Sequence, residues 1–95
     1  MPFPQISHLQ FKVLACLMKG EMHGKNIRQA IAAEGVKQSN PAFYQLMARM
    51  EKADYVSSRY DQSIHDGIPL TECVYRITKT GQKTAESTIE FYSAK

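Results

Sequence analysis

Residues 39–56 read S-N-P-A-F-Y-Q-L-M-A-R-M-E-K-A-D-Y-V, and the fold turns on how this stretch is read. Phe43, Leu46, Met47 and Met50 fall at i, i+3, i+4 and i+7, the apolar stripe of an amphipathic helix. Tyr44, Gln45, Ala48, Arg49 and Lys52 fall on the opposite face. Ser39 or Asn40 can cap the start, and Pro41 suits the first helical position, where no backbone donor is missed. The spacing predicts a helix over residues 40–53. Its outer face offers a phenol, an amide and a guanidinium along one line, groups that hydrogen-bond phosphates or base edges. An ordinary solvated helix can carry the same groups, so this face alone does not decide the function.

Working towards the N-terminus, Ile27, Ala30, Ile31 and Ala33 turn inward on a helix over residues 24–34, with Lys25, Arg28 and Gln29 outside. Gly35 is placed as its left-handed terminator. The turn of four to six residues that follows fits a helix-turn-helix. Gly20-Glu21-Met22-His23-Gly24 reads as a break. Before it, a helix over residues 5–19 is apolar on two faces: Ile6, Leu9, Val13, Cys16 and Leu17 on one, Phe11, Leu14, Ala15 and Met18 on the other. Two apolar faces need two covers, and the second is either the C-terminal helix or another subunit.

Beyond the central helix, Asp54 ends it at a position that wants a left-handed residue. The period then changes. Tyr55 to Tyr60 and Thr71 to Ile77 read as two antiparallel strands, a hairpin over residues 55–77. Its tip, Gln62 to Leu70, looks too long for a two-residue turn, and Asp61, Asp66 and Glu72 make it acidic. Thr78 can cap a last helix over residues 79–94, with Ala85, Ile89 and Tyr92 as a sparse apolar stripe and Phe91 beside it. The expected architecture is α+β and mostly helical: a single winged helix-turn-helix domain of three helices, a two-stranded wing and a C-terminal helix.

The chain has 95 residues, 43% hydrophobic and 22% charged, an ordinary globular composition. A net charge of +3 is compatible with nucleic acid and does not demand it, and there is no block of like charge. Cys16 and Cys73 stand far apart in apolar company, which reads as two buried thiols in a reducing compartment. Neither a signal sequence nor a run of apolar residues long enough to span a bilayer is seen, so a cytoplasmic protein with no membrane association is expected. His8, His23 and His65 are not at metal-ligand spacing, and neither a nucleophile–base motif nor a phosphate-binding glycine loop is present. No metal, cofactor or enzymatic activity is expected.

Several pieces in order resemble the PadR-like family of winged-helix transcriptional regulators, over roughly residues 9–92. They are the loop Gly20-Glu21-Met22-His23-Gly24; Ser39 followed by Tyr44 and then Leu46-Met47-Ala48-Arg49-Met50-Glu51; and Tyr75-Arg76-Ile77-Thr78 with Gly81. Pro41 and Ala42 stand where the family usually has a small residue and Thr, Gln45 where it often has Pro, and Lys25 where it has an aromatic. The resemblance implies a dimeric repressor that binds double-stranded DNA, its recognition helix in the major groove and its wing on the backbone. It also implies a homodimer built on the terminal helices, here Phe11, Leu14, Met18, Ile89 and Tyr92, as in the family's short branch. Some relatives bind flat hydrophobic effectors at the dimer centre, where Phe11, Met18, Phe91 or Tyr92 would have to line the pocket.

Each residue's role has an alternative. Tyr44 either donates to a phosphate or packs on the wing. Gln45 and Asn40 can pair with adenine N6 and N7. Arg49 can reach a phosphate or a guanine, or pair with Glu51 or Asp54. Lys25, Arg28, Lys37 and Ser39 flank the helix, and Arg59 and Tyr60 open the wing. A wing touching DNA only at its base is expected from the acidic tip. The competing function is a winged-helix module that binds protein and not DNA. The two are told apart by whether Lys25, Arg28, Lys37, Arg49 and Arg59 share one face.

Overall fold

The computed structural model describes residues 6–93. In chain order the elements are α1 (His8–Leu17), β1 (Met22–His23), α2 (Gly24–Ala33), α3 (Asn40–Lys52), β2 (Val56–His65), β3 (Ile68–Ile77) and α4 (Lys79–Ser93). The expected helix starts and ends at Gln5 and Ala94 lie outside the described residues. The architecture is the winged helix-turn-helix: helices enclosing a core, and a sheet in the order β1-β3-β2 whose long hairpin is the wing.

Side-chain caps set the helix starts. Ser7 caps α1 in a capping box with Gln10, so the helix begins after the prolines and Gln5. Ser39 caps α3, its Oγ accepting from the Ala42 N–H at 3.3 Å. Pro41 therefore occupies the second helical position, still inside the turn where its missing donor costs nothing. Thr78 Oγ1 accepts from the Gly81 N–H at 3.0 Å and opens α4.

Left-handed residues set the helix ends. After α3, Asp54 has φ +67; its N–H reaches the Glu51 carbonyl and the Tyr55 N–H reaches that of Met50, the paired bonds of a Schellman close. Gly35, at φ +97, closes α2 in the same way, with the Val36 N–H on the Ile31 carbonyl.

Phe43, Leu46, Met47 and Met50 are all buried, as the stripe demands. They meet Val13, Leu14 and Leu17 of α1, Ile27 and Ile31 of α2, Val56 and Tyr75 of the sheet, and Ala85 of α4. Burying each large side chain contributes about 1.5–3 kcal/mol. Two expectations change here. Leu14, assigned to a partner-facing stripe, is fully buried within the chain. On α4 the inward face is Gly81, Ala85 and Thr88, while Ile89 and Tyr92 turn outward. Small residues win those positions because α4 packs close: a Cβ on Gly81 would lie 2.0 Å from the Tyr55 carbonyl oxygen.

The wing also differs from the expectation. β2 and β3 pair without a gap from Val56↔Ile77 to His65↔Ile68, so the supposed long tip is ladder. The turn is Asp66-Gly67, with φ +52 and +76, the two left-handed residues of a tight hairpin turn. Asp61 and Glu72 are cross-strand partners midway along the wing, leaving Asp66 alone at the tip. Pro69 faces Ile64, the first pair beyond the closing one. Its missing donor points to an edge that β1 does not reach, since β1 pairs only with Val74 and Tyr75. β1 itself, read as a break, is two residues long, too short to display any period.

Candidate nucleic-acid interface

Tyr44, Gln45, Ala48, Arg49 and Lys52 line the exposed side of α3, because Phe43, Leu46, Met47 and Met50 are committed to the core. Gln45 and Arg49, four apart, stand one above the other. The carboxylates that could have occupied Arg49 are engaged elsewhere. Glu51 accepts from the Ser58 hydroxyl at 3.0 Å, and Asp54 accepts from Thr80 at 3.4 Å. Among the described residues Arg49 and Lys37 form no ion pair, whereas Lys25 lies 3.5 Å from Glu72 and Arg59 lies 2.6 Å from Glu21.

Tyr44 leans across the start of α2. Its ring meets Phe43 edge-on, at 5.1 Å between centroids, and its hydroxyl would lie 3.1 Å from a Cβ on Gly24. Gly24 is thus the residue that lets the phenol lie flat on the helix entrance. His23 precedes that entrance and gives it no side-chain cap, so the first amides of α2 receive no bond from that side chain. Tyr44, Tyr60, Thr71, Cys73, Tyr75, His23, Gly24, Lys25 and Glu72 enclose a cleft of about 360 Å³ between the helices and the wing. Burial, then the Cys73 thiol hydrogen bond, push the Tyr75 phenol far above its ordinary value, so it remains neutral there.

A second cleft, of about 620 Å³, adjoins the first through Lys25 and runs along α2 past Arg28, Gln29, Ala32, Lys37, Gln38 and Ser39. Arg28 spans the helix-turn-helix from within it. Its Nε donates to the Gln38 carbonyl at 2.9 Å, and its Nη1 donates to Asn40 Oδ1. Gln38 Oε1 is buried without a hydrogen-bond partner among the described residues.

Arg59 stands apart from this surface. Consecutive strand residues face opposite ways, so Tyr60 lines the cleft while Arg59 points to the outer face of the sheet. There Arg59 meets Glu21. Val74 is 4% exposed on that face, in the pocket that Arg59 and Glu21 share. His23, which also lines the cleft, has its Nε2 3.3 Å from Glu72 and 3.6 Å from Asp61. So Lys25, Arg28, Lys37, Ser39, Tyr44 and Tyr60 come together, with Asn40 tied in through Arg28, and Arg59 does not join them. The sequence reading missed Glu21, His23 and Glu72 as straps between β1 and the wing. It also missed Gly24 as the seat of Tyr44.

The sequence pattern described as the Transcriptional regulator PadR-like family matches residues 13–87. The chain belongs to this family. Solved structures of transcriptional regulators share its fold. A PadR family transcription regulator from Clostridium difficile superposes with a TM-score of 0.79 at 17% identity, covering 92% of this chain and 88% of that one. A transcriptional regulator from Clostridium thermocellum gives 0.71 at 24% identity, with 93% and 88% covered. Bacillus subtilis PadR, solved in complex with operator DNA, gives 0.73 at 17% identity, with 87% of this chain and 47% of that one covered. No curated protein sequence matches the chain.

In this PadR-like chain the residues assigned to a dimer face divide. Met18, Ile89 and Tyr92 are 40%, 43% and 58% exposed, Phe11 is half-buried, and Leu14 is inside. No helix among the described residues is long and apolar enough to cross a membrane. Cys16 is half-buried, and burial with the nearby Glu34 charge raises its thiol pKa, which keeps it protonated and unreactive.

Proposed function

We propose that this PadR-like chain binds duplex DNA as a homodimeric transcriptional repressor in the cytoplasm, laying the outer face of α3 in the major groove, and that it is a binding protein and not an enzyme. The observation that carries the reading is the sharing of Lys25 by two adjoining clefts. Through it, Lys37, Ser39, Arg28, Tyr44 and Tyr60 form one continuous surface beside the recognition helix, cationic except at Glu72. Phosphate contacts position a protein on a duplex, and base contacts specify the site. Lys37, Lys25 and the Tyr44 hydroxyl, next to the uncapped amides of α2, suit the phosphates; Gln45 and Arg49 suit the base edges. Arg59 is assigned to holding the wing and not to DNA. Met18, Ile89 and Tyr92, with Phe11 at the margin, are assigned to the contact between protomers.

The pairing of Lys25 and Arg59 with carboxylates favours the other reading, a protein-binding module, because it removes free positive charge. Binding to labelled random-sequence duplexes separates the two. A regulator contacting several phosphates binds at about 50 mM salt and loses orders of magnitude in affinity by about 200 mM. Absence of binding at the lower salt would leave the protein-binding module.

A further inference from the structure

We propose that Arg28 and Asn40 act as one specificity-determining unit that selects guanine over adenine at one position of the operator. The inference rests on the DNA-binding reading and deepens it.

A guanidinium carries only donors, so the amide atom facing Arg28 Nη1 must be the oxygen of Asn40. The orientation of this amide is therefore fixed by chemistry, and its Nδ2 hydrogens point away from Arg28. The same Arg28 holds the Gln38 carbonyl through Nε, so the amide is braced against the turn that precedes α3. Asn40 is exposed and is the first residue of α3, the end from which recognition helices read base edges.

A free asparagine prefers adenine, accepting from N6 and donating to N7. Here the accepting oxygen already serves a cation. The oxygen keeps a second lone pair, but an adenine amino group that used it would bring its hydrogens beside the positive charge of the guanidinium. Guanine presents two acceptors, N7 and O6, and no major-groove donor. Both can be met by hydrogens of Asn40 Nδ2 and by those of Arg28 that neither Gln38 nor Asn40 uses. The paired residues thus present donors to an edge made of acceptors, which reverses the adenine preference expected of Asn40 alone.

The test is selection of binding sites from a randomised duplex pool by the full chain and by the variants Asn40→Asp, Asn40→Ala and Arg28→Lys. Asn40→Asp keeps an acceptor for Arg28 and removes both donors, so it preserves the brace; melting curves confirm that each variant is folded. The wild-type protein is expected to favour guanine roughly tenfold over adenine at one position, the size of one good base contact. Both Asn40 variants flatten that position and leave the others, and Arg28→Lys, which cannot hold both oxygens, shifts it towards adenine. Adenine at the flattened position in the wild type, or no position flattened by either Asn40 variant, overturns the proposal. Salt-sensitive binding without any base preference overturns it while DNA binding stands. Failure to bind any duplex ends both.

Discussion

Arg59 donates to Glu21 at 2.6 Å across the outer face of the sheet, tying the wing to the loop before β1. Both side chains are about half exposed, so the pair contributes no more than about 1 kcal/mol to stability and is screened by salt. Its consequence is for binding. On the proposed reading, a guanidinium held on the face away from Tyr44 makes no phosphate contact. Arg59→Ala should change affinity for duplex DNA by less than about twofold and leave the salt slope unaltered. Lys37→Ala and Arg49→Ala, which free no carboxylate, should each weaken binding severalfold; loss of the Lys37 phosphate contact should reduce the slope by about one. Titrations at several salt concentrations read all three. A steep loss with Arg59→Ala would return the wing's outer face to the DNA.

Two glycines separate stability from recognition. A Cβ at Gly81 would sit 2.0 Å from the Tyr55 carbonyl oxygen, and backbone cannot yield as a side chain can. Gly81→Ala should therefore push α4 off the hairpin base and cost about 3 kcal/mol or more, within the range of overpacked sites. At Gly24 the nearest atom is the far end of Tyr44, at 3.1 Å. Gly24→Ala should shift the phenol by a few tenths of an ångström, lowering DNA affinity with little change in the urea midpoint. Equal losses of stability in the two variants would show that Tyr44 is as rigidly held as the Tyr55 backbone.

The elements that the sequence declared were those with a long period or a chemical stop. Phe43, Leu46, Met47 and Met50 named their helix because four apolar residues at helical spacing have one shared face. Asp54 and Gly35 marked ends because the left-handed conformation excludes most other residues. The wing was under-read because Gln62, Ser63, His65 and Pro69 are poor strand formers, and their pairing is imposed by the Asp66-Gly67 turn and the adjoining ladder. That Asp-Gly pair between Ile64 and Ile68 was the available signal. For the candidate site, helical spacing isolated Tyr44, Gln45 and Arg49. Alternation along the strand could have parted Arg59 from Tyr60. The partners of Arg59 and Lys25 could not be read, because Glu21 and Glu72 reach them only through β1 lying against β3.

The dimer assignment yields a contrast within α1 and α4. Met18, Ile89 and Tyr92 lose little when solvated in the monomer, while Leu14 fills the core. Ile89→Glu and Tyr92→Glu should convert a dimer to folded monomers, read by sedimentation equilibrium, with the helical signal retained. Leu14→Ala should lower stability by about 2–5 kcal/mol through the cavity it leaves. It should affect association only through that loss. A wild-type melting temperature that rises with protein concentration would mark the coupling of assembly to folding. Dimers surviving both glutamate variants would move the interface off this face.

Glu34 occupies the C-cap of α2, where the helix dipole disfavours a carboxylate, and the last turn of α2 holds no basic residue. The compensating charge comes from α1: Lys12 Nζ lies 2.7 Å from Glu34 Oε1. The hydrogen bond and charge of Lys12 hold the Glu34 pKa below its ordinary 4.5. Since the folded state binds this proton more weakly than the unfolded chain, the contact stabilises the fold above the ordinary carboxylate range. That stabilisation is lost as pH falls through the lowered folded value. Lys12→Met should remove it. Stability curves of the variant and the wild type should lie apart at neutral pH and converge in acid, with high salt narrowing the neutral gap. The Glu34 carboxyl, followed by NMR, should titrate higher in the variant. An unchanged titration would mean that the carboxylate is held by the other nearby cations, and not by the link between α1 and α2.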